Sequence, residues 1–122
     1  MNYCNIKKFD IINEEHDAFF NFVPPNPTEG AMAYLKDRVV SEGYDYAIAT
    51  DSDGGRLGVL DEKGSSVSSN DILATLYYYL IRYRGQKGDV VKNLATSVIL
   101  DKLAQKFGYE CHEVDVGFKN IS

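Results

Sequence analysis

The chain has no tryptophan, only two cysteines and three prolines among 122 residues, and no basic run longer than Lys7-Lys8. Each scarcity excludes a class of function. Cys4 and Cys111 are far apart and lack metal-ligand spacing, so reduced, buried thiols are expected rather than a disulfide framework. With a net charge of -5 and a pI near 4.9, a nucleic-acid partner or an anionic membrane surface is disfavoured, and any phosphate-binding positive charge must be local. The lack of a signal peptide and of a span-length apolar run points to the cytoplasm and to no membrane partner. His16 and His112 have no partner at ligand spacing. Although His112 follows Cys111, adjacent strand residues face opposite ways, which argues against a joint metal site.

What is present is an ordinary globular balance, 44% hydrophobic and 25% charged, enough for one compact core or two small subdomains. Strand-like and helix-like periodicities alternate, which is α/β order. Residues 4–12 read as a strand, and Pro24 to Pro27 as an extended linker. A helix is expected from Thr28 to Glu42, with Gly43 as its stop, followed by strands at 45–50 and 57–61. The Gly64-Ser65-Ser66-Val67-Ser68-Ser69 stretch is the expected domain boundary, dividing the chain into 1–63 and 64–122. Beyond it, Ser69 or Asn70 caps a helix ending near Gly85, and 89–95, 97–107 and 109–116 read as strand, helix and strand. That order favours a largely parallel sheet in this half. Within the helix, the Tyr77-Tyr78-Tyr79 run is expected to pack its rings inward, a stacking platform being the alternative.

Most informative is Tyr46-Ala47-Ile48-Ala49-Thr50-Asp51-Ser52-Asp53-Gly54-Gly55-Arg56, an apolar strand that runs into two carboxylates and an arginine. Alternate acids on a loop fed by a fixed strand can converge on one hard divalent cation such as magnesium. The glycines allow a tight turn, and Arg56 supplies a planar fork suited to phosphate. Three loop chemistries share the pattern. A helix-loop-helix calcium site would place Glu62 twelfth from Asp51, but Gly55 and Arg56 stand fifth and sixth and the flanks read as strands. A dehalogenase-type phosphatase would use Asp51 as nucleophile and Asp53 as acid/base, a short resemblance lacking that family's downstream acidic pair.

The third match runs from Asn13 to Ser122. Asn13-Glu14-Glu15-His16-Asp17, Pro24-Pro25-Asn26-Pro27-Thr28-Glu29, Gly58-Val59-Leu60-Asp61-Glu62-Lys63-Gly64, Leu94-Ala95-Thr96-Ser97 and Val116-Gly117-Phe118-Lys119-Asn120-Ile121 flank or follow the loop. In order and approximate spacing they resemble the middle of an α-D-phosphohexomutase, the phosphoglucomutase and phosphomannomutase family. The resemblance implies three-layer αβα units with mixed sheets, incomplete here: the latter part of the second domain and most of the third. It implies an isomerase that moves a phosphoryl group between O1 and O6 of a hexose through a phosphoserine and a bisphosphate intermediate. Asp51 and Asp53 would hold Mg2+, Arg56 and Lys92 would be catalytic, and Thr96, Gly117 and Lys119 would bind the hexose phosphate. For Lys92 a solvated edge-strand lysine is the bland alternative, for Ser97 a helix cap, and for Phe118 a packing residue.

Two departures accompany the resemblance. Gly55 stands where the family's metal loop has a third aspartate, which should weaken or abolish metal binding. The phosphoserine motif and the Gly-Glu-x-Ser-Gly sugar loop have no counterpart in these residues, so the chain alone is expected to be inactive. A non-catalytic interaction module, with homodimer formation through strand edges or apolar faces that missing domains would cover, is the remaining alternative.

Overall fold

The computed structural model describes residue 6 and residues 9–121. Cys4, Lys7, Lys8 and Ser122 lie outside the described residues, as does most of the strand expected over 4–12. Its described part, 9–12, forms no strand. Side chains hold it instead: the Asp10 carboxylate pairs with Arg38 Nη2 at 3.4 Å and accepts the Tyr44 hydroxyl.

The fold is mixed α/β, with helices and strands in two sheets. In the first half, helix α1 (Ala33–Glu42) precedes strands β1 (Tyr46–Thr50), β2 (Leu57–Asp61) and β3 (Ser66–Val67), all antiparallel in that spatial order. Helix α1 starts five residues later than expected. The reason is local: the Thr28 carbonyl accepts Met32 N–H and its hydroxyl accepts Ala31 N–H, so 28–32 makes a turn around Gly30 before the helix begins. The stop at Gly43 is as expected, in left-handed conformation with its N–H bonded to the Val39 carbonyl.

Alternation sorts the sheet. Met32, Val39 and Leu60 are buried between α1 and the sheet, whereas Tyr46, Ile48 and Leu57 are exposed on the opposite face. Gly58 is needed for this packing, because a Cβ there would lie 2.7 Å from Met32 Sδ and 2.8 Å from Pro27 Cβ. Strand β3 falls within the stretch expected to be a boundary turn. Two residues are too short for a periodicity signal, yet Val67 pairs with Val59 and Ser66 with Leu60.

In the second half, α2 (Ser69–Arg82), β4 (Val90–Asn93), α3 (Ile99–Phe107) and β5 (Cys111–Val114) follow in order, and β4 pairs with β5 in parallel as expected. The cap of α2 is Ser68, one residue before the expected position: its hydroxyl accepts Asp71 N–H at 3.1 Å. Helix α3 starts at Ile99 rather than Ser97, and the strands are shorter at both ends than the periodicity suggests. The core joins Tyr77, Leu100 and Ala104, with Ile81, Leu103 and Phe107 packed against them. The tyrosine run divides by face. Tyr77 meets Phe107 edge-on at 6.5 Å between ring centres, while exposed Tyr79 stacks on Tyr83 at 5.9 Å. Among the described residues, no helix is long and apolar enough to cross a membrane.

Candidate functional site

The β1–β2 hairpin presents residues 51–56 as a six-residue loop closed by its own carboxylates. Asp51 Oδ1 accepts Arg56 N–H at 3.0 Å, and Asp53 Oδ1 accepts Gly55 N–H at 3.2 Å. The Gly54 N–H reaches the Asp51 carbonyl at 3.1 Å. Asp51 is tucked under the loop, with its side chain 12% exposed, while the Arg56 guanidinium is 67% exposed and 3.7 Å from Asp51 Oδ2. The Arg56 backbone N–H is the main cause holding the Asp51 carboxyl below its ordinary range, with smaller help from Asp53, the Gly55 N–H and the Arg56 charge. Asp51 is therefore an anion at neutral pH.

The donor set suits a partly hydrated hard cation. Magnesium is commonly held by one or two carboxylates, with waters and phosphate oxygens filling its shell. Two carboxylates spend one oxygen each on the loop and keep a second, and a side chain at position 55 would start 3.3 Å from Asp53 Oδ1. Among the described residues, no group of three His, Cys, Asp or Glu side chains is placed to hold a metal ion.

A second cluster forms where β4 and β5 end together. Leu94 N–H bonds to the Val114 carbonyl at 3.1 Å, so the loops 94–98 and 115–120 leave the same end of the parallel pair. Such an end is where α/β sheets collect ligands. Thr96 and Ser97 are held by asparagines. Asn93 Oδ1 accepts both Ala95 N–H and the Thr96 hydroxyl at 3.0 Å, and Asn70 Oδ1, from the start of α2, accepts Ser97 N–H at 2.9 Å. The Ser97 hydroxyl accepts Ile99 N–H at 3.3 Å, a local turn bond at the helix entry. Gly117 has φ +141°, a conformation that favours glycine, and Asn120 Nδ2 bridges the Asp115 and Val116 carbonyls. Lys119 is exposed beside it. An open hollow of about 440 Å3 between these loops is lined by Leu94, Glu113, Val114, Asp115 and Asn120.

Lys92 is not the solvated edge lysine of the alternative reading. Strand alternation turns it inward, 3% exposed, where its ammonium lies 2.8 Å from Asp101 Oδ2 on α3 and 2.9 Å from Glu113 Oε2 on β5. Both hydrogen bonds raise its pKa, and the same pairing lowers that of Asp101. Lys92 thus ties three elements together, and one of its partners, Glu113, lines the hollow at the sheet end. His112 also differs from expectation: its Nε2 lies 3.7 Å from Asp89 and 3.9 Å from Glu110.

So Asp51, Asp53 and Arg56 share one loop, Thr96, Gly117 and Lys119 share one sheet end, and Lys92 reaches that end only through Glu113. The supporting asparagines went unread in the sequence. Asn93, three residues before Thr96, carries the Asx-turn signal that would find it, whereas Asn120 donates its amide backward to the Asp115 and Val116 carbonyls. Asn70 acts across 27 positions and leaves no local trace.

Comparison with known proteins gives an independent view. Residues 2–64 match the model for phosphoglucomutase/phosphomannomutase alpha/beta/alpha domain II, and residues 68–122 match that for domain III. Phosphoglucosamine mutase of Nautilia profundicola is 33% identical over 113 residues, 90% of this chain and 25% of that protein. Phosphopentomutase of Thermococcus kodakarensis is 30% identical over 106 residues, 87% of this chain and 23% of that protein. A crystal structure described as a phosphomannomutase of Thermus thermophilus superposes with a TM-score of 0.74 at 33% identity, covering 82% of this chain and 23% of its own. The chain spans about a fifth to a quarter of the length of the curated relatives it matches.

Proposed function

The chain belongs to the phosphoglucomutase/phosphomannomutase family, and from that premise we propose that it contributes the metal loop and one sugar-facing sheet end to a phosphohexomutase. The observation that carries the reading is the order of the two matches, domain II before domain III, with the acid-bearing hairpin in the first and the open sheet end in the second. In the proposed reaction a hexose 1-phosphate receives a phosphoryl group on O6 from a phosphoserine. The bisphosphate then returns the phosphoryl group from O1 to that serine. Both transfers have charged, loose transition states, for which positioning and charge do most of the work.

Asp51 and Asp53 would hold magnesium, which when bound offsets phosphoryl charge. Arg56, exposed beside them, orients a phosphate oxygen with its fork. At the sheet end, the Thr96 hydroxyl donates to Asn93 and keeps lone pairs to accept from a sugar hydroxyl. Gly117 lets the backbone approach closely, and the Lys119 ammonium meets the sugar phosphate. The sugar itself is left open, because relatives carry names from phosphopentomutase to phosphoglucosamine mutase.

The test is a nuclear magnetic resonance titration of this chain with glucose 6-phosphate, glucosamine 6-phosphate and ribose 5-phosphate, paired with a turnover assay. Saturable shifts of the Thr96, Gly117 and Lys119 amides without turnover are expected. Hydrolysis of phosphate esters by this chain alone, abolished in Asp51→Asn, would overturn the reading in favour of a phosphatase. Self-association through the open sheet face of Tyr46, Ile48 and Leu57 is part of the proposal. Light scattering tests it, and a monomer at high concentration refutes it.

A further inference from the structure

We infer that the β4–β5 sheet end is an acceptor surface that reads the hydroxyl and amine edge of a sugar rather than its phosphate, with Asn93 setting its polarity and Asp115 favouring an amine. The inference rests on the mutase reading for the sugar phosphate itself. A turn from a strand into a helix commonly offers free N–H groups, which is why such turns take anions. Here they are spent. Leu94 N–H donates to the Val114 carbonyl at 3.1 Å and Ala95 N–H to Asn93 Oδ1 at 3.0 Å. Thr96 N–H donates to the Asn93 carbonyl at 3.0 Å, and Ser97 N–H to Asn70 Oδ1 at 2.9 Å.

Asn93 also decides where the Thr96 hydroxyl proton goes. Because Ala95 N–H donates to Oδ1, that atom is the amide oxygen, and the Thr96 hydroxyl 3.0 Å from it must donate as well. What Thr96 has left is lone pairs. Across the sheet end, Asn120 gives its Nδ2 protons to the Asp115 and Val116 carbonyls at 3.2 and 3.4 Å and keeps Oδ1. A side chain at Gly117 would start 3.2 Å from that nitrogen, so glycine lets the amide stay in place. The hollow of about 440 Å3 therefore combines an apolar wall, Leu94, with the carboxylates of Glu113 and Asp115 and the Asn120 oxygen. Lys92 already takes one oxygen of Glu113 at 2.9 Å, whereas among the described residues no ion pair holds Asp115. Such a lining accepts hydroxyl and ammonium donors and repels a phosphate. The phosphate is left to Lys119, exposed outside the hollow.

Inorganic phosphate, glucose 6-phosphate and glucosamine 6-phosphate are titrated separately into the 122-residue chain, reading amide shifts. Inorganic phosphate is expected to shift Lys119 and leave 94–97 unmoved. Glucosamine 6-phosphate is expected to bind about tenfold more tightly than glucose 6-phosphate, the worth of one charge-assisted hydrogen bond. Asp115→Asn should erase that difference between the sugars. Asn93→Ala releases the Ala95 N–H and the Thr96 proton, so inorganic phosphate should now shift both amides, and Asn93→Asp, which restores the acceptor, should silence them again. An asparagine that served packing alone would not exchange one ligand class for another. Amide dispersion outside the sheet end verifies that each variant is folded. Equal affinity for the two sugars overturns the inference, as does a response of 94–97 to inorganic phosphate in the original chain; in either case the sugar-phosphate response leaves the mutase reading standing. A chain that answers to neither sugar phosphate overturns both.

Discussion

The 51–56 loop and the β4–β5 pair both carry charged candidates, and they hold them in opposite ways. On the loop, backbone N–H groups fix the carboxylates while the guanidinium stays in solvent. In the β4–β5 half, side chains satisfy one another: Lys92 with Asp101 and Glu113, and Thr96 with Asn93. A charge held through the backbone remains available to a ligand; a charge held by another side chain is given over to the fold. The 51–56 loop is therefore expected to tolerate changes at its charged residues, and the β4–β5 pair to lose stability when its own are changed.

The strongest test of that contrast removes core from the second half. Leu100→Ala deletes a side chain only 4% exposed, next to Ala104 and Tyr77, and is expected to cost about 3 kcal/mol by denaturant unfolding. A cost below about 1 kcal/mol would show that the second half is loosely packed, since well-packed leucines cost two or more.

Next in size is Lys92→Met, which keeps bulk and removes charge. Loss of stability at neutral pH is expected, smaller than for Leu100→Ala because the half-exposed Asp101 and Glu113 can turn to water. The pH dependence distinguishes pairing from packing. Asp101 has a lowered pKa, so its contribution is present above its ordinary value of 3.8 and is lost as pH falls below it. Lys92 has a raised pKa, so its contribution holds below 10.5 and is lost only as pH rises past that value. The original chain should lose more stability on acidification than the variant. Parallel acid limbs would mean that Lys92 packs without pairing.

These contrasts also explain what the sequence made legible. The strand at 45–50 and the glycine stop at 43 depend on local geometry, and the structure has them where the pattern predicts. The inward turn of Lys92 depends on which face of β4 meets α3, and four residues carry too little periodicity to decide that. The cap of α2 slipped by one because Ser68, Ser69 and Asn70 are equivalent cap formers, and the bond to Asp71 N–H selects Ser68. Ser68→Ala is expected to cost about 1 kcal/mol, as cap removals do, while Ser69→Ala should change little. Equal costs at the two positions would erase that assignment.

The smallest effect on stability, and the sharpest on the contrast, is expected at Arg56. Its guanidinium is mostly in solvent, and an exposed ion pair contributes little. Arg56→Ala should leave the unfolding midpoint unchanged. It should also leave the Asp51 carboxyl titrating below 3.8, because the leading cause of that shift is the residue's backbone N–H, which alanine retains. Carbon-detected titration of Asp51 reads this directly. If the Asp51 value returns to 3.8 in the variant, the guanidinium holds the carboxylate, and the loop's charges belong to the fold just as the triad around Lys92 does. If it stays low while phosphate no longer shifts the Gly54 and Gly55 amides, the guanidinium serves the ligand and the backbone serves the fold.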